Sequence, residues 1–140
     1  MIAIDTNVLL RYLLDDDEEQ SPRAARLIGG ERTVLVTDVV LAETLWTLRG
    51  KKYRLDRSTL ATVVAALFEE PSLRFENAQA VWRALSDFRG DEDDASAGAD
   101  FADALILNVA RAVAARADEP FDGLYTFDRK ALRMPDTRSP

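Results

Sequence analysis

The stretch "MIAIDTNVLL" (Met1–Leu10) decides how the chain is read, because the apolar run from Ile2 to Ile4 breaks at Asp5 and helix-compatible sequence begins at Asn7. A charged residue interrupts an apolar run at low cost only where the backbone turns or the charge finds a partner. A short buried strand that ends at Asp5 and passes the chain into a helix to Leu14 meets the first condition. The pattern repeats outward from there. "TVLVT" (Thr33–Thr37) reads as a second strand, followed by a helix from Asp38 to Gly50. "LRF" (Leu73–Phe75) reads as a third, followed by a helix that Asn77 caps and that reaches Arg89. Ser21, with Pro22 behind it and Gly29-Gly30 closing, predicts an intervening helix, and Asp56 or Ser58 opens another that ends before Pro71. Gly90 to Gly98 is small, acidic and aperiodic, hence a loop, and Asp100 to Arg116 is strongly helical. "GLYTF" (Gly123–Phe127) is a last strand, Asp128 to Met134 a turn or short helix, and residues 135–140 a loose tail.

Strands alternating with helices predict an α/β fold: a central parallel sheet of four to five strands with helices on both faces, in three layers. One domain is expected over residues 1–134. Ligands of such sheets gather outside the carboxyl ends of the strands, which is where Asp5 and Asp128 fall.

The chain has 140 residues and contains neither cysteine nor histidine. Thiol nucleophiles, thiolate zinc sites and imidazole acids, bases or ligands are thereby excluded. Any active site is built from carboxylates, hydroxyls, amides, Lys and Arg, whose oxygens suit hard cations, above all Mg2+ or Mn2+. The net charge of −7 argues against a broad basic surface for nucleic acid. Acid concentrates at Asp15 to Glu19 and Asp91 to Asp100, however, while Arg49 to Arg57 is a basic block able to steer a phosphate backbone. No stretch is long and apolar enough for a membrane span, so a soluble, cytoplasmic protein is expected.

Five acids stand out: Asp5, Glu43, Asp100, Asp103 and Asp128. Asp5 and Asp128 follow strands, and Asp100 and Asp103 share one face of a helix start. Glu43 lies between Val39 and Trp46, while Leu41, Leu45 and Leu48 make another face of the same helix, so this helix is expected to be covered on both sides. Each acid has a second reading. Asp5 and Asp100 can be helix N-caps, Asp103 the closing member of a capping box, Asp128 a turn residue and Glu43 a solvated helix residue. If they converge, two charges about 4 Å apart repel by roughly 4 kcal/mol at an effective dielectric near 20, which a divalent cation would offset.

"MIAIDTNVLLRYL", "VTDVVLAETLWTL", "ADFADALILNVA" and "YTFDRK" together resemble the four acidic motifs of the PIN-domain ribonucleases, in particular the VapC-type toxins of bacterial toxin–antitoxin pairs. The resemblance covers the chain from end to end, in the family's order. It implies that Asp5, Glu43, Asp103 and Asp128 are the catalytic, metal-holding quartet, with Asp100 an additional metal ligand. Thr6, Asn7 and Thr126 match polar positions that orient carboxylates or water. The activity implied is Mg2+- or Mn2+-assisted hydrolysis of RNA phosphodiesters, leaving a 5′-phosphate and a 3′-hydroxyl, with Asp128 placed to orient or deprotonate water. The partners implied are an RNA substrate, a cognate VapB-like antitoxin and a second copy in a homodimer, with no membrane.

Arg11, Lys51, Lys52, Arg54, Arg129 and Lys130 are candidates for substrate phosphates, or else solvated charges. Tyr12, Leu13, Trp46 and Tyr53 are candidates for a partner groove, with core packing the other reading of Trp46. Two readings of another class remain: a PIN scaffold that binds without cleaving, and a receiver-like signalling domain. The second is disfavoured because Asp5 lacks a neighbouring acid and is followed by Thr-Asn.

Overall fold

Ile2–Ala3 forms a strand because its parallel neighbour gives a short apolar run a ladder that it could not sustain alone. A computed structural model describes residues 1–90 and 98–140. The loop expected from Gly90 to Gly98 and the acidic run beginning at Asp91 therefore lie, for residues 91–97, outside the described residues. The chain divides into two compact units, Met1–Glu76 and Asn77–Pro140.

In the first unit β1 (Ile2–Ala3), β2 (Val34–Val36) and β3 (Leu73–Phe75) form one parallel sheet in that order. Ile2 pairs with Val34, and Val34 with Leu73. α1 (Thr6–Leu14) and α2 (Gln20–Ile28) make the first crossover, and α3 (Asp38–Arg49) and α4 (Arg57–Glu69) the second. Leu9, Ile28, Val34, Val36, Leu41, Leu48 and Val64 are buried and make the core of this unit. α3 departs from expectation: Leu41, Thr44, Leu45 and Leu48 are buried, but Val39 and Trp46 are 67% and 74% exposed, so one side only is covered.

Helix starts follow the strongest local acceptor. Asp5 Oδ1 accepts the Val8 N–H, and Asp56 Oδ1 accepts that of Thr59 at 2.8 Å. Two caps differ from the reading of the sequence by one or more residues. Thr37, not Asp38, is the N-cap of α3, so Asp38 falls in the first turn, where the helix dipole favours a carboxylate. α2 begins at Gln20 rather than after Ser21, because Asp17 Oδ1 accepts the N–H groups of Gln20 at 2.6 Å and Glu19 at 3.0 Å. Pro22 then lies in the first turn, where no intrahelical N–H is needed.

In the second unit α5 (Ala78–Gly90) packs on α6 (Phe101–Arg116) through Val81, Leu85, Phe88, Phe101 and Leu107. The Phe88 and Phe101 rings meet edge to face, 5.7 Å between centroids. The buried Asn108 is satisfied by donating to Asp87 Oδ2 and the Ala104 carbonyl. β4 (Leu124–Tyr125) pairs in parallel with β5 (Thr137–Arg138), with a 3₁₀ turn at Ala131–Arg133 between them.

The tail expected to be loose is thus tied down. The Leu124 N–H donates to the Asp136 carbonyl and that of Thr126 to Arg138, while Arg111 Nη2 bonds Asp136 Oδ2 at 2.6 Å. Gly123 enters this ladder at φ +128°, where an added Cβ would lie 3.0 Å from the Asp136 carbonyl oxygen, so glycine is required there. The fold class is the expected α/β with parallel strands, but the five strands described fall into a three-stranded and a two-stranded ladder. No helix among the described residues is long and apolar enough to cross a membrane.

Two outcomes are expected from this bonding. Removing residues 135–140 should cost roughly 2 kcal/mol, at about 1 kcal/mol per ladder hydrogen bond lost; a chemical-unfolding midpoint equal to that of the intact chain would show that β5 adds nothing. The Thr59 hydroxyl and N–H hold the Asp56 carboxyl below its ordinary range, as the Gln20 and Glu19 N–H groups do for Asp17. A depressed folded-state pKa gives stability that is complete above about pH 4, the unfolded value, and is lost as pH falls through the lowered one. Asp56→Asn keeps a capping acceptor, so it should leave stability near neutrality almost unchanged and flatten the acid limb of a urea-midpoint profile between pH 6 and about pH 2.

Candidate active site

Asp5 lies just beyond β1, at the carboxyl edge of the three-stranded sheet, as the N-cap of α1. Its Oδ1 accepts the Val8 N–H at 2.9 Å, and Oδ2 has no hydrogen bond among the described residues. The next residue makes the decisive contact: Thr6 Oγ1 donates to Glu43 Oε2 at 2.6 Å. Glu43, on the exposed face of α3, is thereby held at the first turn of α1 that Asp5 caps. Glu43 Oε1 likewise has no hydrogen bond among the described residues.

Asp5 and Asn7 also line a cleft of about 440 Å³ between α1 and α2, together with Arg11, Gln20 and Arg23. Arg11 is fixed there by Asp16 Oδ1 at 2.6 Å and Gln20 Oε1 at 3.1 Å, and the Asp16 carboxylate raises the pKa of its guanidinium. Past the end of α3, Lys51, Lys52 and Arg54 are exposed, with Lys52 Nζ 5.2 Å from the centre of the Tyr53 ring. Tyr12, a candidate for a partner groove, is half-buried and donates its hydroxyl to Glu70 Oε2.

In the second unit Asp100 is the N-cap of α6, and Asp103 Oδ2 accepts its N–H at 3.1 Å in a capping box. Asp128 follows β4 and takes the turn role: its Oδ1 accepts the N–H groups of Lys130 at 2.7 Å and Ala131 at 2.9 Å. The Ala131 N–H first, and that of Lys130 next, hold its carboxyl below the ordinary range. Thr126 Oγ1 accepts the Asp128 N–H at 3.0 Å and fixes the turn, and Arg129 and Lys130 are exposed on it.

Thr6 therefore brings Asp5 and Glu43 to one edge, and the capping box brings Asp100 and Asp103 together, while Asp128 stands with Thr126. Among the described residues no three His, Cys, Asp or Glu side chains form a group set to hold a metal ion. A Mg2+-like ion needs no such cage. It keeps several waters and takes one or two carboxylates plus substrate phosphates. In the first unit the open Asp5 Oδ2 and Glu43 Oε1 are hard donors of the type such an ion takes, so they fit a divalent cation in chemistry; in the second unit Asp128 Oδ2 is a donor of the same type.

The sequence model of one family, the PIN domain, matches residues 2–136. The chain belongs to the PIN-domain family. No curated protein matches it. PIN domains are generally nucleases, hydrolases that typically use divalent metals.

Three residues of this PIN domain escaped the reading of its sequence. Gln20 and Arg23 face the cleft with Asp5, and their spacing with Ala24 and Leu27 on α2 is the helical signal that places them on one side. Glu76 lies just past β3, at the same sheet edge as Asp5, and its Oε2 accepts the Asp38 N–H at 2.9 Å. Its signal was its place directly after a strand, as for Asp5.

Thr6→Val removes the bond that orients Glu43. The fold should change in stability by no more than about 1 kcal/mol. Mn2+ affinity, read by calorimetry, should fall about 10- to 100-fold, as for a residue that orients a ligand. Unchanged affinity would make the Thr6–Glu43 contact purely structural.

Proposed function

We propose that this PIN domain is a Mg2+- or Mn2+-dependent endoribonuclease, the VapC-type toxin of a type II toxin–antitoxin pair, acting in the cytoplasm. The observation that carries the reading is the Thr6–Glu43 hydrogen bond, which holds a second carboxylate at the helix turn that Asp5 caps. Asp5, Glu43, Asp103 and Asp128 are the proposed catalytic and metal-holding acids, with Asp100 an additional ligand. When bound, the metal polarises the scissile phosphate and offsets charge on the leaving oxygen.

The remaining work falls to this chain's own groups. Thr6 orients Glu43, and Thr126 fixes the turn that carries Asp128. Two backbone N–H groups make Asp128 a weak base, so it suits orienting a water through Oδ2 better than keeping that water's proton. Arg11, Lys51, Lys52, Arg54, Arg129 and Lys130 are the proposed phosphate contacts. A VapB-like antitoxin and a homodimeric state complete the proposal.

Purified protein incubated with structured RNA should cleave it in Mg2+ or Mn2+ and not in EDTA. Asp5→Asn and Glu43→Gln should each lower the rate by about 100-fold or more, since losing a ligand costs at least as much as losing its support. Equal cleavage in the chelator, or full activity in Asp5→Asn, overturns the reading. Metal binding without turnover would instead leave a non-catalytic PIN scaffold.

A further inference from the structure

Asp136 holds a left-handed backbone, at φ +59°, which Asn and Asp tolerate best among residues with a side chain. Pro135 precedes it, the residue favoured just before a left-handed position in a tight turn. The Thr137 hydroxyl closes the turn by donating to the Met134 carbonyl at 2.7 Å. The Asp136 carbonyl accepts the Leu124 N–H at 2.8 Å, and its Oδ2 accepts Arg111 Nη2 at 2.6 Å. One residue thus joins three elements: the turn that enters β5, the start of β4, and α6.

Two of these elements carry candidate acids. Asp103 stands on α6 eight residues before Arg111, about 12 Å along the axis at 1.5 Å per residue. β4 runs directly toward Asp128: Thr126 donates its N–H to the Arg138 carbonyl at 2.9 Å and accepts the Asp128 N–H on Oγ1 at 3.0 Å. A continuous series of bonds therefore leads from Arg111 through Asp136 and β5 to Thr126 and the turn that presents Asp128. A ladder of two residues on each strand has little stability of its own. Arg111 ties it to a 16-residue helix that is packed on α5.

Folding stability does not account for the pair. The Arg111 and Asp136 side chains are 26% and 57% exposed, and ion pairs so placed add little to folding. The turn alone would be better served by glycine at 136, which takes a positive φ at no steric cost. What glycine lacks is the carboxylate that reaches Arg111.

We propose that the Arg111–Asp136 ion pair is a clamp that fixes the Asp128 turn against the helix carrying Asp103. Both are positioning residues, and neither touches the reacting atoms. The reaction they serve rests on the ribonuclease reading, whereas the clamp itself does not.

Amide hydrogen exchange of the intact chain without metal, read by NMR, tests the clamp, and RNA cleavage in Mg2+ tests its purpose. Asp136→Gly keeps the turn and removes the carboxylate; Arg111→Met removes the guanidinium. Each should speed exchange at Thr126 and Asp128 about 10-fold or more, since exchange follows the free energy of local opening. The chemical-unfolding midpoint should hardly move. In Mg2+, kcat should fall about 10- to 100-fold with KM little changed, the scale for a misplaced reacting group. The double variant should be no worse than either single one, because both break the same bond. Arg111→Lys keeps a cation at this position and should recover most of the loss. Arg116→Ala, which removes a different α6 contact, with Asn77 Oδ1, should change neither exchange at Asp128 nor kcat.

Wild-type exchange at Thr126 and Asp128 in Asp136→Gly overturns the clamp, as do additive losses in the double variant. Faster exchange with kcat unchanged makes the pair purely structural and overturns its positioning role. If Asp136→Gly does not fold, Arg111→Met and Arg111→Lys decide the same question. Failure of the ribonuclease reading looks different: the wild-type chain cleaves nothing in Mg2+, while exchange at Thr126 and Asp128 still answers to the clamp.

Discussion

The parallel pairing of Ile2 with Val34, and of Val34 with Leu73, is the constraint on which the rest of the first unit depends. Parallel strands share one carboxyl edge, so every crossover helix must leave from it. The first turns of α1 and α3 are delivered there with their unpaired N–H groups and the positive ends of their dipoles. Acids are the natural occupants of such an edge: Asp5 caps α1, Asp38 lies in the first turn of α3, and Glu76 bonds the Asp38 N–H. A cap engages only one carboxylate oxygen. Asp5 commits Oδ1 to Val8, and Asp128 commits Oδ1 to Lys130 and Ala131. Capping and metal binding, which look like rival readings of one aspartate, are compatible roles for its two oxygens.

The sequence was legible wherever a local rule had no competitor. Leu73–Phe75 has the expected bounds because Pro71 bars the preceding helix from continuing and Asn77 opens the next one. Asp56, one of the two starts read for its helix, caps α4, and Asp100 takes the cap position of α6 that its residue type favours. Where several acceptors crowd together, the boundary moved: the cap position of α2 fell on Glu19 rather than Ser21, beside the N–H groups that Asp17 accepts, and Thr37 supplanted Asp38. β5 was invisible because Thr137–Arg138 offers no apolar run of the kind that marks β1 and β4, and it exists through its partners on β4. Among the acids, the sequence conveyed which residue types stand at helix starts and strand ends. Patterning did not convey the Thr6–Glu43 bond, a contact across 37 positions, although the resemblance implied that Thr6 orients a carboxylate or water.

Helical periodicity likewise shows that two residues share a face, but not whether that face is covered. The spacing of Val39 and Trp46 against Leu41, Leu45 and Leu48 defines two apolar sides of α3, and packing covers the second alone. Exposed apolar side chains are ordinary one at a time. A tryptophan and a valine flanking an oriented carboxylate on one helix face are not scattered residues, and their surroundings decide what they can meet.

Net charge says less about that meeting than its distribution does. At physiological salt, charges are screened over about 8 Å, so a phosphate beside Lys51 responds to its neighbours and hardly to the sum of −7. The acidic run Asp15 to Glu19 is also partly engaged: Asp16 holds Arg11, Asp17 accepts the Glu19 and Gln20 N–H groups, and Glu19 pairs with Arg23. Those contacts turn acids that would repel a polyanion into supports for the two arginines lining the cleft beside Asp5. The same principle governs the edge itself, where carboxylates bound to N–H and hydroxyl donors tolerate one another better than bare ones would. What such donors leave uncompensated is the charge on the open oxygens, and a divalent cation held by Asp5 and Glu43 would offset it.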